Sequence, residues 1–303
     1  MADVKRQIPL HSLSSLRSRA VVHELEAARA RLEDLSVAEG VLRPAVRALG
    51  RIARLLARPI RVALLGEFNS GKSSLANVLT GIESLPTAVL SNTRIPTLLH
   101  FATHPEIHAM LDDGSRRPLR EDRLDPALAI ARLDVGLPAL KLQKFEILDM
   151  PGLADAGSEA SLENGIVATA DAALWCTVST QAWKESERAA WSDLPWRLKA
   201  CSLLAVTHWD LLRDPDDQGR LMERLRSEPG DLFRSLIPIK TRDALSVLAQ
   251  GSSAAAQAEW AAAGAQQLET ELDRLIEEIG QRRVDSALAV TRRIVDGVFA
   301  RIG

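Results

Sequence analysis

Residues 66–74 read Gly66-Glu67-Phe68-Asn69-Ser70-Gly71-Lys72-Ser73-Ser74, a complete G-x-x-x-x-G-K-S loop. Its flanks leave little choice of local fold. Residues 60–65, Ile-Arg-Val-Ala-Leu-Leu, form a short apolar run suited to a buried parallel strand. Ser74-Leu75-Ala76-Asn77-Val78-Leu79 is a good helix start. Strand, glycine loop and helix in that order are the context in which this motif cradles phosphate. Glycines let the backbone wrap a phosphate chain, so that its N–H groups and the helix N-terminus meet the negative charge. Lys72 is placed to reach the outer phosphates, and the Ser73 hydroxyl to hold Mg2+.

The loop specifies a nucleoside triphosphate, and two later segments specify the base. Residues 145–148 lead as a strand into Asp149-Met150-Pro151-Gly152, where the aspartate can meet Mg2+ through water from the opposite wall. The Gly152 N–H is placed to sense a terminal phosphate, as switch segments do. Residues 202–206 form another buried strand, followed by Thr207-His208-Trp209-Asp210. This resembles the T-K-x-D base-recognition element of GTPases, with His208 where lysine is usual. A carboxylate at Asp210 can accept from N1 and N2 of guanine, a pair of donors that adenine lacks. GTP and GDP are therefore the expected ligands. The shorter imidazole predicts a weaker hold on nucleotide.

A chain of 303 residues can bury one nucleotide domain plus a helical appendage. The net charge of −2 exerts no global pull toward nucleic acid, an unlikely partner on this ground. Cys176 and Cys201 each lie in apolar runs, the pattern of buried thiols in a reducing compartment. No run approaches the roughly 18 uninterrupted apolar residues of a membrane span. These features point to a cytoplasmic chain, with peripheral membrane attachment as the alternative. Arg17, Arg19 and several serines give the first 20 residues a faint transit-peptide character. Leucines at helical spacing argue instead for a structural helix.

Periodicity predicts one helix over 12–35 and a second over about 41–57, stopped by Arg58-Pro59. These make an N-terminal helical region, 1–58. A GTPase domain spans 59–246, with strands alternating with helices. The expected fold class is α/β, a P-loop GTPase domain with a mainly parallel sheet, flanked by an N- and C-terminal helical bundle. Residues 106–114 read as a strand and turn, giving an antiparallel edge. Residues 236–239 are the last strand, and Lys240 beyond them would occupy the loop near the base. Region 247–303 carries two apolar stripes separated by a break at Gly280, and is expected to pack with the N-terminal helices.

With these motifs in place the chain resembles the dynamin superfamily, specifically the bacterial dynamin-like GTPases. The residues that carry the resemblance run from Gly66 to Gly81, then Leu85-Pro86, Thr93-Arg94-Ile95-Pro96-Thr97, Asp149-Met150-Pro151-Gly152 and Thr207-His208-Trp209-Asp210. The resemblance implies GTP hydrolysis with Mg2+, stimulated when two such domains meet across the nucleotide as a homodimer. It also implies a helical neck built from both termini. About 57 residues follow residue 246, too few for the family's full stalk and tip. A membrane surface, or a partner supplying the stalk, therefore stays open.

Leu153 stands where many small GTPases place a water-orienting glutamine. The expected catalytic set is Asn69, Lys72, Thr93 and Gly152, with Thr93 contacting water and Mg2+ and Thr97 as the competing assignment. Asn69 matches the position that holds K+ in potassium-stimulated GTPases; bracing the loop is its alternative role. Two other functions stand beside the leading one: an Era-like GTPase acting on ribosome or tRNA, and a slowly hydrolysing nucleotide-binding scaffold. Arg43, Arg47, Arg51, Arg54 and Arg58 recur every three or four residues opposite apolar positions. Such a face suits anionic lipid or a partner helix, or simply solvent. The six tryptophans read as core, with an exposed Trp183 at a dimer face as the alternative.

Overall fold

The computed structural model describes residues 19–27, 29–30, 43–82, 95–119, 129–152, 165–250 and 253–302. After a helical segment over 19–27 and 29–30 come α1 (Arg43–Ala57), β1 (Ile60–Gly66) and α2 (Lys72–Thr80). Strands β2 (Thr97–Phe101), β3 (Glu106–Leu111), β4 (Arg116–Pro118), β5 (Ile130–Leu137), β6 (Phe145–Asp149) and β7 (Ala172–Val178) follow. The chain continues through α3 (Glu185–Ser192), α4 (Trp196–Lys199), β8 (Ser202–Thr207), α5 (Pro215–Ser227) and β9 (Leu236–Pro238). It ends in α6 (Thr241–Leu248), α7 (Ala254–Ala262) and α8 (Ala265–Ile302).

The strands form one sheet in the order β4-β3-β5-β2-β6-β1-β7-β8-β9. Every residue of β1 is buried, as a central parallel strand covered on both faces requires. It pairs in parallel with β6 and β7, and β8 and β9 continue in parallel beyond β7. Strand β2 runs antiparallel to β6, and β3 antiparallel to both β4 and β5, so one half of the sheet is mixed. The expected α/β fold, mainly parallel with an antiparallel edge, is the fold observed. Near the start of β1, Arg61 makes two bonds to Glu146 of β6, at 3.0 and 2.8 Å. Its Nη1 also donates to Thr169 at 2.9 Å.

Trp175, Trp183, Trp191 and Trp209 lie in the core beside β7, whereas Trp196 is 78% exposed, against the expectation that the tryptophans are core. Trp175, Trp183 and Trp191 meet edge-to-face with ring centroids 5.5–6.1 Å apart, and Phe233 joins them. Trp183 is 3% exposed, which excludes it from an exposed dimer face. Glu187, equally enclosed, accepts from Trp175 Nε1 at 3.3 Å and Thr177 Oγ1 at 2.9 Å. Burial raises its carboxyl above the usual range, against the pull of these donors.

Contacts divide the chain into two units, one of Ile60–Leu275 and one of Met1–Pro59 with Ile276–Gly303. The sheet unit thus extends beyond the boundary expected at 246. Lys240 N donates to Ala263 O at 2.9 Å, Leu268 and Leu272 are buried, and Lys141 pairs with Glu269. Gly264 has φ +82°, and a Cβ there would stand 2.1 Å from Pro238 O, so only glycine permits this approach. The break expected at Gly280 is absent: α8 runs through it. A single helical glycine costs only about 1 kcal/mol, which the buried Ile276, Ile279 and Val284 on either side of it offset.

In the second unit Leu25, Leu49, Ala53 and Leu56 pack with Val284 and Ala287. Arg283 Nη1 donates to Arg58 O at 2.9 Å. Residues 12–18, 28 and 31–35 of the expected first helix lie outside the described residues. Gly264→Ala should lower stability by about 2–3 kcal/mol, from the clash with Pro238 and the strained backbone together. Urea denaturation of the full chain followed by tryptophan fluorescence measures it, and an unchanged midpoint contradicts the close approach.

Candidate functional site

The register of the sheet builds the site. Leu64 of β1 lies beside Asp149 of β6, and Thr97 of β2 lies on the other side of that aspartate. The phosphate loop leaves β1 two residues later and turns into α2, so Ser73 in the first turn of the helix faces the strand-end carboxylate. Ser73 Oγ donates to Asp149 Oδ2 at 3.2 Å. No side chain caps the N-terminus of α2, which leaves its first amides for an anion. The buried Lys72 folds back onto the loop, its Nζ donating to Gly66 O at 3.0 Å and Glu67 O at 2.7 Å.

A cavity of about 320 Å3 opens over this loop. Phe68, Asn69, Ser70, Gly71, Lys72, Ser73 and Ser74 form one wall. Asp149, Gly152 and Thr97 form another, and His208 closes a third side. A Cβ at Gly152 would lie 2.7 Å from the Phe68 backbone, so this segment passes directly against the phosphate loop. Gly66, Glu67, Thr207, Asp210 and Lys240 are not in the lining. Thr207 braces the loop from behind, donating to Ser70 O at 2.8 Å and Thr177 O at 3.1 Å. Asp210 and Lys240 stand just beyond β8 and β9, in adjacent loops joined by Trp209 N to Ile239 O at 3.3 Å. The Asp210 carboxylate makes no hydrogen bond among the described residues. Thr93 and Leu153 lie outside them. Thr97, the competing assignment, is 3% exposed and donates to Ile95 O at 3.3 Å.

Three contacts have no counterpart in the sequence motifs. Lys184 pairs with Glu67 at 2.6 Å, and Ser186 donates to the same carboxylate, tying α3 to the phosphate loop. Burial pushes the Glu67 carboxyl up, but these two donors outweigh it and hold it below the usual range. Ser179 Oγ donates to His208 O at 2.8 Å, fixing a histidine whose φ is +53°. More than a hundred residues separate the partners at Glu67, so no local spacing signals that pair.

The aspartate is electrostatically exposed to whatever occupies the cavity. Its Oδ1 is buried and has no hydrogen-bond partner among the described residues. Burial raises the Asp149 carboxyl to about 6 from 3.8, against the opposing pull of Lys72 and Ser73. An unsatisfied carboxylate oxygen beside a serine hydroxyl, facing the Gly66–Ser73 glycine loop, fits Mg2+ in its donor set. Bound there, the ion would supply charge neutralisation on the phosphate oxygens. Ser73 and Asp149 are the residues that would hold it, directly or through water.

The same shift carries a stability cost. A carboxyl with its folded pKa raised stabilises the fold fully below 3.8 and loses that contribution as pH rises through about 6. The difference of about two units corresponds to about 3 kcal/mol. Without nucleotide, Asp149→Asn should therefore melt higher than wild type well above pH 6, and the advantage should vanish below 3.8. Thermal melting across pH measures it; an offset that does not vary with pH counts against an ionised Asp149 in a dry site.

Comparison with known proteins identifies the domain. Residues 61–199 match the family described as 50S ribosome-binding GTPase. Dynamin-like protein 2 of Campylobacter jejuni is 30% identical over 148 residues, 45% of this chain and 23% of that protein. Bacterial dynamin-like protein of Nostoc punctiforme is 28% identical over 183 residues, 52% of this chain and 26% of its own length. The chain thus spans about a quarter of the curated relatives it matches. In fold it is similar to a structure titled as an oligomerised bacterial dynamin pair for long-range sensing and tethering of membranes. That likeness has a TM-score of 0.57 and 20% identity, over 86% of this chain and 42% of the other. Residues 61–199 thus match a GTPase family, and the chain is similar over part of its length to dynamin-like proteins.

Proposed function

We propose that this protein binds GTP in the cavity over the phosphate loop and hydrolyses it through nucleotide-dependent pairing of two copies. The observation that carries the reading is the Ser73–Asp149 pair with its unsatisfied buried oxygen, set across from Lys72 and the uncapped start of α2. In this reading the α2 amides and Lys72 hold the outer phosphates, and Ser73 and Asp149 hold Mg2+. The Gly152 N–H meets the terminal phosphate. Asp210, its carboxylate without a partner among the described residues, accepts from guanine N1 and N2. His208, packed with its Nε2 3.6 Å from where a Gly71 Cβ would stand, covers the base side of the loop. Thr93 or Thr97 positions the attacking water.

Asn69 is exposed, has φ +59°, and its carboxamide makes no hydrogen bond among the described residues. It is thus available to hold K+ beside the phosphates, offsetting charge that grows there in the transition state. Pairing of two copies is supported by the dynamin-like relatives and by the neighbour titled as an oligomerised pair. A membrane surface, or a partner supplying a stalk, is the finer part of the reading, supported by that neighbour's title on tethering of membranes. The family description as ribosome-binding favours a second reading, an Era-like GTPase on ribosomal RNA.

Lys72→Ala should weaken GTP binding about 100-fold, the worth of a strong charge-assisted contact, with the fold intact by circular dichroism. In wild type, turnover per molecule should climb with protein concentration and with GTP rather than ATP. A rate per molecule that stays flat, together with co-purifying RNA, favours the ribosomal reading instead. Turnover should be faster in K+ than in Na+ or a large organic cation, and Asn69→Ala should abolish that difference. Equal rates in all three cations leave Asn69 as a brace only.

A further inference from the structure

Helix α1 divides sharply around its axis. Val46, Leu49, Gly50, Ala53 and Leu56 are buried on one arc. On the other, Arg43, Arg47, Arg51 and Arg54 are all exposed. At about 100° per residue these four fall within roughly 80° of arc and extend about 16 Å along the axis. Leu55, 52% exposed, follows Arg51 by one turn and continues the same row. None of the four arginines has a carboxylate partner among the described residues. The helix contains no Asp or Glu to provide one.

Within the fold this pattern is a cost. Arg43 with Arg47, and Arg47 with Arg51, are like charges at i,i+4, the spacing at which like charges destabilise a helix. Alternating glutamates would relieve that repulsion, as Glu26 does for the neighbouring Arg29 at 3.0 Å. No carboxylate among the described residues relieves it on α1. The buried arc already anchors the helix through Leu49, Ala53 and Leu56, so the arginines are not needed to hold it in place.

We propose that this face of α1 docks on an anionic lipid headgroup layer, with the arginines on lipid phosphates and Leu55 at the boundary of the acyl region. The inference extends the membrane part of the proposed function to named residues of this chain. Two observations select lipid. Four cations on a helix already packed along its length suit a planar, diffuse anionic surface, with no deep pocket required. The exposed leucine in the same row has a place to go in a bilayer interface and none on a phosphate backbone. The apolar arc of α1 is buried in its own unit, so attachment is peripheral and governed by charge, and salt screens it.

The test is co-sedimentation of the full chain with vesicles of phosphatidylcholine, with and without phosphatidylglycerol, at low and raised salt. Wild type should bind the anionic vesicles at low salt, release at raised salt and ignore the neutral ones. Arg47→Gln with Arg51→Gln should weaken binding roughly 25-fold, about fivefold for each arginine near an anionic surface. Thermal melting of the double variant should equal or slightly exceed wild type, since both like-charge pairs are relieved. Leu55→Ser should weaken binding less than the arginine pair does. Wild-type affinity in the double variant overturns the assignment to α1 and leaves a membrane role standing elsewhere. No binding to anionic vesicles overturns both. Tighter binding to duplex DNA than to vesicles at the same salt overturns the choice of lipid.

Discussion

The alignment of Leu64 with Asp149 across β1 and β6 is the contact on which the site depends. Parallel pairing at that register puts a carboxylate level with the start of the phosphate loop. The first turn of α2 then has an acid to face, and Ser73 meets it at 3.2 Å. A slip of one residue would turn the Asp149 side chain to the other face of the sheet. Full burial of β1 on both faces, and the Arg61–Glu146 pair near its start, make that slip expensive. The chemistry at the C-terminal end of the strands is therefore held by packing and pairing along their whole length.

The site is built against local stability. Asp149 is pushed toward its neutral form by burial, and one of its oxygens goes unsatisfied. Asn69 and His208 sit at positive φ, where non-glycine residues are uncommon. These costs are supported from outside the cavity. Thr207 holds the Ser70 carbonyl, Ser179 holds the His208 carbonyl, and Lys184 with Ser186 holds Glu67. Behind them stands the tryptophan cluster around Glu187, which makes α3 a firm platform for its contact with the loop. In the proposed function, preorganisation of this kind exchanges stability of the empty protein for readiness toward nucleotide and Mg2+.

Much of the architecture was legible because it rests on short-range rules. Strand, glycine loop and helix around Lys72, the strand ending in Asp149 and the strand ending in Thr207 are each set by ten or so neighbouring residues. The division of α1 into arginine and apolar arcs follows from helical period alone. Where expectation departed from structure, packing had decided the outcome. The break expected at Gly280 did not occur, because burial of Ile276, Ile279 and Val284 around it outweighs one glycine's propensity. The sheet unit ran on to Leu275, because Gly264 lets the chain pass against Pro238 and Lys141 reaches Glu269.

Sequence by itself determined the glycine loop, its α/β setting and the acid opposite it, since each is a pattern of adjacent residues with one stereochemical solution. It also determined that α1 carries a row of cations without acids. Tertiary structure alone decided that Glu67 turns away from the cavity to Lys184, and that Trp183 is core rather than surface. It alone decided that Asp149 keeps a buried oxygen without a partner. Those outcomes depend on which distant side chains the sheet order brings together and how completely they exclude water. Neither quantity is encoded in the spacing of neighbours along the chain.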